Sequence, residues 1–235
     1  LQIIVFSIFL GVALIMMGKE GERLLAGVQS CANAMYKITA IVMEFSPIGV
    51  CALLADSVGA YGLKIFGPLG KLILTVYASD VILVLVMYIP MVALLAKFPV
   101  KKWLQGIWKV WVVTASTTSS SGSLPITTSV TNDEFGVSSE LSSFSLPLGA
   151  TINMNGGCIY YAAAIVMTAQ IYGMNLTPSA LVNIIISTVL VAMGCPGVPG
   201  GAIIMTTILL TNMGLPLEIV GLIAGIFRLI DMANT

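Results

Sequence analysis

The sequence predicts an all-α protein that crosses a membrane several times. Three observations carry this. Hydrophobic residues make up 58% of the 235-residue chain and charged residues only 9%, against about 25% charged in an ordinary soluble domain. Mean hydropathy is +1.04, so a water-facing surface would be largely apolar. The charges are also segregated. None lies between Glu140 and Glu218, between Leu1 and Gly18, or between Val81 and Ala96. One transmembrane helix needs about 20 apolar residues, and the stretch after Glu140 is several times that. It must cross or re-enter the bilayer more than once.

The elements follow in order. Leu1–Met17 reads as the end of a membrane helix, and Gly18–Arg23 is polar. No basic segment precedes the first apolar run, unlike a signal peptide, so earlier helices are expected before Leu1. Asp231–Thr235 follows a helical run without a cap or stop signal, and the chain reads as an internal piece of a longer protein. Leu24–Ser57 reads as a long helix kinked at Pro47-Ile48-Gly49. Tyr61–Lys71 is a connection, and Leu72–Ala96 is a second long span. Lys97, Lys101, Lys102 and Lys109 then cluster, which makes that end cytoplasmic by the positive-inside rule.

Beyond Lys109 the apolar runs shorten. Thr114–Thr131 is dominated by Ser and Thr. Asn153-Met154-Asn155-Gly156-Gly157 interrupts one run, and Gly194–Gly201 interrupts another. Ten helical residues rise about 15 Å, whereas the hydrocarbon core is about 30 Å thick. The arms around Pro196–Gly201 therefore fit a hairpin that dips in and turns back. Irregular backbone at that depth survives only inside protein or beside a polar cavity. A weak internal repeat is present: a polar, Pro-containing tip (Ser119–Pro125) precedes Leu141–Ile171, and a second tip (Gly194–Gly201) precedes Leu215–Thr235. Broken helices at corresponding places in two repeats point to a transporter binding site.

Several residues could bind. The serine run supplies hydroxyls and free backbone N–H groups suited to a carboxylate; its bland alternative is a polar linker. An unwound turn at Asn153–Asn155 would expose oxygen ligands for Na⁺, and its alternative is an amide pair bonding to neighbouring helices. Gly197–Gly201 suits a mobile gate, against an ordinary turn. Asp231 is an ionisable group in or near the membrane and a natural partner for an ammonium. Glu44 and Asp80 also lie in apolar segments, each pairing locally or facing an aqueous vestibule. Cys31, Cys51, Cys158 and Cys195 are widely spaced and His is absent, which speaks against zinc or haem and for packing roles. The absence of His also leaves the serines without an activating base. No GxxxxGK[ST] loop is present, so ion-gradient coupling is simpler than an ATP motor, and a neutral chain offers no field for nucleic acid.

At these motifs the sequence resembles the dicarboxylate/amino acid:cation symporters, the glutamate-transporter family. The matching stretches are Ser119–Pro125, Leu146–Gly156, Gly197–Gly200, Ile230-Asp231-Met232 and Pro47–Val50, in the same order and spacing. The resemblance implies a glutamate-transporter-like fold with two re-entrant helical hairpins and a broken transmembrane helix. It divides the chain into scaffold and trimerisation helices (1–65) and a transport domain (66–235). That domain holds hairpin 1 (about 103–131), the broken helix (about 139–171), hairpin 2 (about 179–213) and the start of the last helix (215–235). It further implies a homotrimer in the cell membrane (the inner membrane in a bacterium) that works as an elevator, with Na⁺ or H⁺ as coupling ion and no organic cofactor.

The implied substrate residues are Ser119, Ser120 and Ser121 for the carboxylate and Asp231 for the amino group, with Gly157, Val198, Gly200, Asn234 and Thr235 around them. The implied Na⁺ ligands are Gly149, Asn153 and Asn155, and a second set of Thr151 and Met154 with carbonyls at Met193 and Cys195. Departures from the family pattern are Asn155 and Gly157 for an acid and a threonine, Thr118 for an arginine before the serines, and Asn234 for the arginine of acidic-substrate members. They favour a neutral amino acid. The competing reading is a channel built on the same hairpins, told apart by ohmic current against saturable uptake.

Overall fold

The computed structural model describes residues 2–45, 48, 49, 51, 52, 55, 59, 62 and 66–235. All regular structure among them is helical, with no strand. The chain divides into two compact units, Leu1–Gly49 and Val50–Thr235.

The first unit holds α1 (Gln2–Met17) and α2 (Lys19–Glu44). Gly18 joins them at φ 58°, a left-handed turn that glycine adopts without strain. Glu20 and Glu22 sit in the first turn of α2, where the helix dipole favours negative charge. The expected kink at Pro47 lies outside the described residues.

The second unit begins with α3 (Phe66–Leu83). Together with the π-helical turns Val84–Tyr88 and Met91–Leu95 it forms one continuous 30-residue helix. Among the described residues this helix alone is long and apolar enough to cross a membrane. It starts six residues before the expected Leu72, because Pro68 falls in the first turn, where the missing N–H is not needed. The π turns flank Pro90. Its ring and absent N–H break the usual ladder, and the Ile89 and Ala96 amides donate to the Val84 and Met91 carbonyls instead.

Next come α4 (Val100–Thr117), α5 (Leu124–Ser129, continued by the turn Val130–Glu134), α6 (Ser139–Ile152) and α7 (Asn155–Ile171). The unit ends with α8 (Pro178–Ala192), α9 (Gly201–Asn212) and α10 (Glu218–Asn234). Ser138 caps α6 by accepting from the Leu141 amide, and Thr177 caps α8 by accepting from the Ala180 amide. At 15 and 12 residues, α8 and α9 rise only about 22 and 18 Å.

Helix α7 is the centre of the core. Tyr160, Tyr161, Ala164 and Ile165 are fully buried against α3, α8, α9 and α10. The Tyr160 ring meets Phe227 edge-on at 5.1 Å, and its hydroxyl lies 2.9 Å from that of Thr206, so the buried phenol is not left unpaired. Helices in lipid gain little from hydrophobic burial and depend on close packing at small residues. Gly156 is such a place. A Cβ there would lie 2.7 Å from the Asn234 carbonyl oxygen and 2.8 Å from its Cα.

Those atoms are backbone and cannot step aside. Gly156→Ala should therefore push α7 and α10 apart, at about 1–3 kcal/mol, and lower the thermal unfolding midpoint of the purified full-length protein. Gly70→Ala, where an added Cβ meets nothing within 4 Å, is the control and should not lower the midpoint, since alanine favours a helix interior.

Candidate functional site: a cavity between interrupted helices

Each wall of the site begins where a helix stops. Thr118 ends α4 in the left-handed region (φ 48°, ψ 37°), its amide donating to the Thr114 carbonyl at 2.7 Å. The serine turn that follows is held by its own hydroxyls. The Gly122 amide donates to Ser119 Oγ at 3.0 Å, and Ser123 Oγ donates to the Ser119 carbonyl at 2.8 Å. Opposite, the Pro196–Gly200 turn is closed by the Val198 amide on the Pro196 carbonyl at 2.8 Å. Gly200 at φ 78° leads into α9.

The two tips touch. The Gly197 carbonyl accepts from Ser119 Oγ at 2.9 Å and from the Ser121 amide at 3.1 Å. A Cβ at Gly197 would lie 2.8 Å from Ser121 Oγ, which would have to turn away, and 3.3 Å from the Ser121 amide nitrogen, so glycine eases this approach.

The third wall is the gap between α6 and α7. Asn153 (φ −98°, ψ 64°) and Met154 (φ −96°, ψ 67°) leave the helix, and the last carbonyls of α6 lose their intrahelical donors. Asn155 Nδ2 donates to Tyr88 Oη at 2.8 Å. The fourth wall is the end of α10. Asp231 Oδ1 accepts from Thr235 Oγ1 at 3.2 Å, and Asn234 Oδ1 is buried with no hydrogen-bond partner.

Together these walls enclose a cavity of about 610 Å³, a size suited to a small organic solute. Eleven of the residues singled out from the sequence line it: Ser120, Gly149, Asn153, Met154, Asn155, Gly157, Cys195, Val198, Asp231, Asn234 and Thr235. The others do not. Ser119 and Ser121 hold the Gly197 carbonyl, and Gly200 stands beyond the tip. Thr151 Oγ1 turns back to the Leu148 carbonyl of its own helix at 2.9 Å, and Met193 is an exposed residue at the end of α8.

Sequence reasoning missed Tyr88, Trp103, Trp111, Thr127, Ser145 and Tyr161, which also line the cavity. Tyr88 had a signal: a phenol in mid-span, two residues before Pro90. Among the described lining residues Asp231 is the sole ionisable carboxyl, and none is Lys or Arg. No group of three or more His, Cys, Asp or Glu able to hold a metal occurs among the described residues. The oxygens this cavity offers a hard cation are mostly backbone carbonyls and neutral side-chain oxygens.

Comparison with known proteins agrees in kind with these features. The chain is 34% identical to a proton/glutamate-aspartate symporter of Bacillus subtilis (strain 168), over all of this chain and 56% of the relative. It is 33% identical to a proton/sodium-glutamate symport protein of Geobacillus stearothermophilus, over all of this chain and 55% of the relative. It is 30% identical to the neutral amino acid transporter B(0) of Mus musculus, over all of this chain and 43% of the relative. The chain thus spans about half the length of the curated relatives it matches. The model of the sodium:dicarboxylate symporter family, whose members are multi-pass membrane transporters and not enzymes, matches residues 1–235, and the chain belongs to that family.

Proposed function

We propose that the protein is a secondary active transporter that moves a small neutral amino acid together with Na⁺ or H⁺. The observation that carries this is the convergence of two glycine- and serine-rich tips, a helix gap and one carboxylate on a single cavity. In this reading α4 and α5 form one re-entrant hairpin and α8 and α9 the other, and α6 and α7 are one transmembrane helix broken at Asn153. Residues 66–235 form the transport domain, which slides as an elevator against scaffold helices that include residues 1–65 and assemble a trimer.

The serine tip receives the solute carboxylate through hydroxyls and backbone amides, which need no cationic side chain. Asp231 receives the ammonium group. Ser119, Ser121 and Gly200 act from the tips, while Ser120, Gly157, Val198, Asn234 and Thr235 surround the solute. Na⁺ takes oxygens at Gly149, Asn153 and Asn155, and at Thr151, Met154, Met193 and Cys195. The Thr151 rotamer facing Leu148 would have to turn for that second set.

The relatives' names divide between acidic and neutral amino acids. This cavity favours the neutral class. A solute carboxylate beyond the one held by the serine tip would meet no Lys or Arg among the described lining residues, and an unpaired buried carboxylate costs several kcal/mol. Each 1.4 kcal/mol is about tenfold in affinity.

Competition in proteoliposomes of the full-length protein tests this. Serine, threonine, alanine or a larger neutral amino acid should displace label at least about tenfold better than aspartate or succinate; the reverse order would refute the substrate class. A second measurement addresses the ions. Asn155 already gives its amide to Tyr88 and carries no charge, so a cation there lacks the compensation that a carboxylate supplies. Flux ratios should give fewer coupled cations per solute than in a relative with Asp at this position, and equal stoichiometry would contradict the role given to Asn155. A third concerns the gate. At φ 78° a β-branched residue is strained by about 1–2 kcal/mol, so Gly200→Val should cut uptake by about tenfold while expression and trimer formation persist. Unchanged uptake would remove the gate.

A further inference from the structure

Helix α3 presents one buried stripe to the core. Leu69, Leu72 and Val76 lie on it, at 1%, 3% and 0% exposure, and Asp80 takes the next place, one turn beyond Val76. Its Oδ2 is buried and accepts no hydrogen bond. From the sequence Asp80 pairs locally or faces an aqueous vestibule, and no hydrogen-bond donor reaches this oxygen. Continuing down the stripe, Val84 and Tyr88 line the cavity, so the carboxyl group stands about one helical turn, roughly 5.4 Å of rise, from the cavity wall.

The helices packed against α3 are α7 and α10. Their ionisable groups are Cys158, Tyr160 and Tyr161 on α7, and Glu218, Arg228 and Asp231 on α10; α3 itself adds Lys71, Tyr77 and Tyr88. Tyr77 donates to the Leu229 carbonyl at 2.7 Å, Tyr88 accepts from Asn155, and Asp231 accepts from Thr235. None is hydrogen-bonded or ion-paired to Asp80 Oδ2.

Asp80 as a whole is half-buried, but an ionised carboxylate with one oxygen buried and unpartnered in an apolar helix is costly without compensation. A metal cation would compensate it only with several further oxygen ligands, and no cluster of acidic ligands adjoins it among the described residues. A proton needs one oxygen only. We infer that Asp80 is a proton-binding site of the transport cycle, loaded and unloaded through the neighbouring cavity. The step is carboxylate plus hydronium giving carboxylic acid plus water when the cavity faces the acidic side, and the reverse on the other side. Nothing is oxidised or reduced. This inference rests on the transport reading above and names one of its coupling ions.

The test uses the full-length protein in vesicles loaded with a pH-sensitive dye, with Na⁺-driven uptake of a labelled neutral amino acid measured in parallel. Wild type should move protons with the solute. Asp80→Asn, fixed in the neutral form, should lose that proton flux, and Asp80→Glu should restore it. Proton flux at the wild-type level in Asp80→Asn overturns the inference and leaves the transport reading standing, as does a wild type that takes up solute without protons. A wild type with no gradient-driven uptake at all overturns both. If Asp80→Asn does not assemble, infrared difference spectra on adding solute decide. A protonated carboxyl band should shift between wild type and Asp80→Glu, and identical bands overturn the inference.

Discussion

The site depends on one acceptor, the carbonyl of Gly197. In apolar surroundings every interrupted helix must find partners for the backbone groups it frees. Here the carbonyl from one tip takes a hydroxyl and an amide from the other, so two turns far apart in sequence satisfy each other. The tips close one end of the cavity, and the gap at Asn153–Met154 and the end of α10 line the rest of it. A side chain at Gly197 would crowd Ser121, turning its hydroxyl away and pressing on its amide nitrogen. The same small residue that lets the tips meet also removes any bulk that would hold them together, so the contact rests on hydrogen bonds, which can be exchanged for those of a solute.

What the sequence made legible was local. Proline, glycine and runs of serine inside apolar segments mark interruptions wherever they occur, because each acts through its own backbone. The serine turn, the Asn-Met-Asn gap and the Gly-Val-Pro-Gly turn all fall where such signals stand. Pairings were not legible. Ser119 meets Gly197 across 78 residues and Asn155 meets Tyr88 across 67, and no local propensity encodes which freed group will find which. Thr151 shows the complementary limit. As a residue type it is a reasonable oxygen ligand, but a helical threonine can satisfy its hydroxyl on its own preceding turn, and this one does. The early start of α3 at Phe66 was missed because Tyr61–Lys71, with its glycines and lysines, reads as a connection, although Pro68 in a first turn breaks nothing.

The charge inventory of the cavity is short, and that brevity shapes what it can hold. With Asp231 as the sole carboxyl among its described lining residues, the proposed zwitterion would rest its carboxylate on neutral donors and its ammonium on an acid. Each further anion would call for a further cation, since unpaired buried charges are not tolerated. Asn155 keeps an oxygen and a hydrogen-bonding geometry at its position while dropping a charge. It spends its amide on Tyr88, whose ring sits on the π-helical part of α3. The polarity of the α6–α7 gap is therefore tied to α3, the one long apolar helix among the described residues.

That tie has a mechanical consequence. Coupling between a cation and a solute is a shared free energy, and each must favour the other's binding by the same factor. An element whose arrangement both ligands bias can carry that coupling. The Asn153–Asn155 gap meets this condition. Asn153, Met154 and Asn155 line the cavity, the gap's carbonyls are freed by the break, and Asn155 is fastened to Tyr88. Gly156, the next residue, packs against the backbone of Asn234 at the end of the helix that carries Asp231. A shift of the gap on taking up a cation would move the wall facing the solute and press on the helix holding the solute's carboxylate partner, because close-packed backbone transmits displacement without absorbing it.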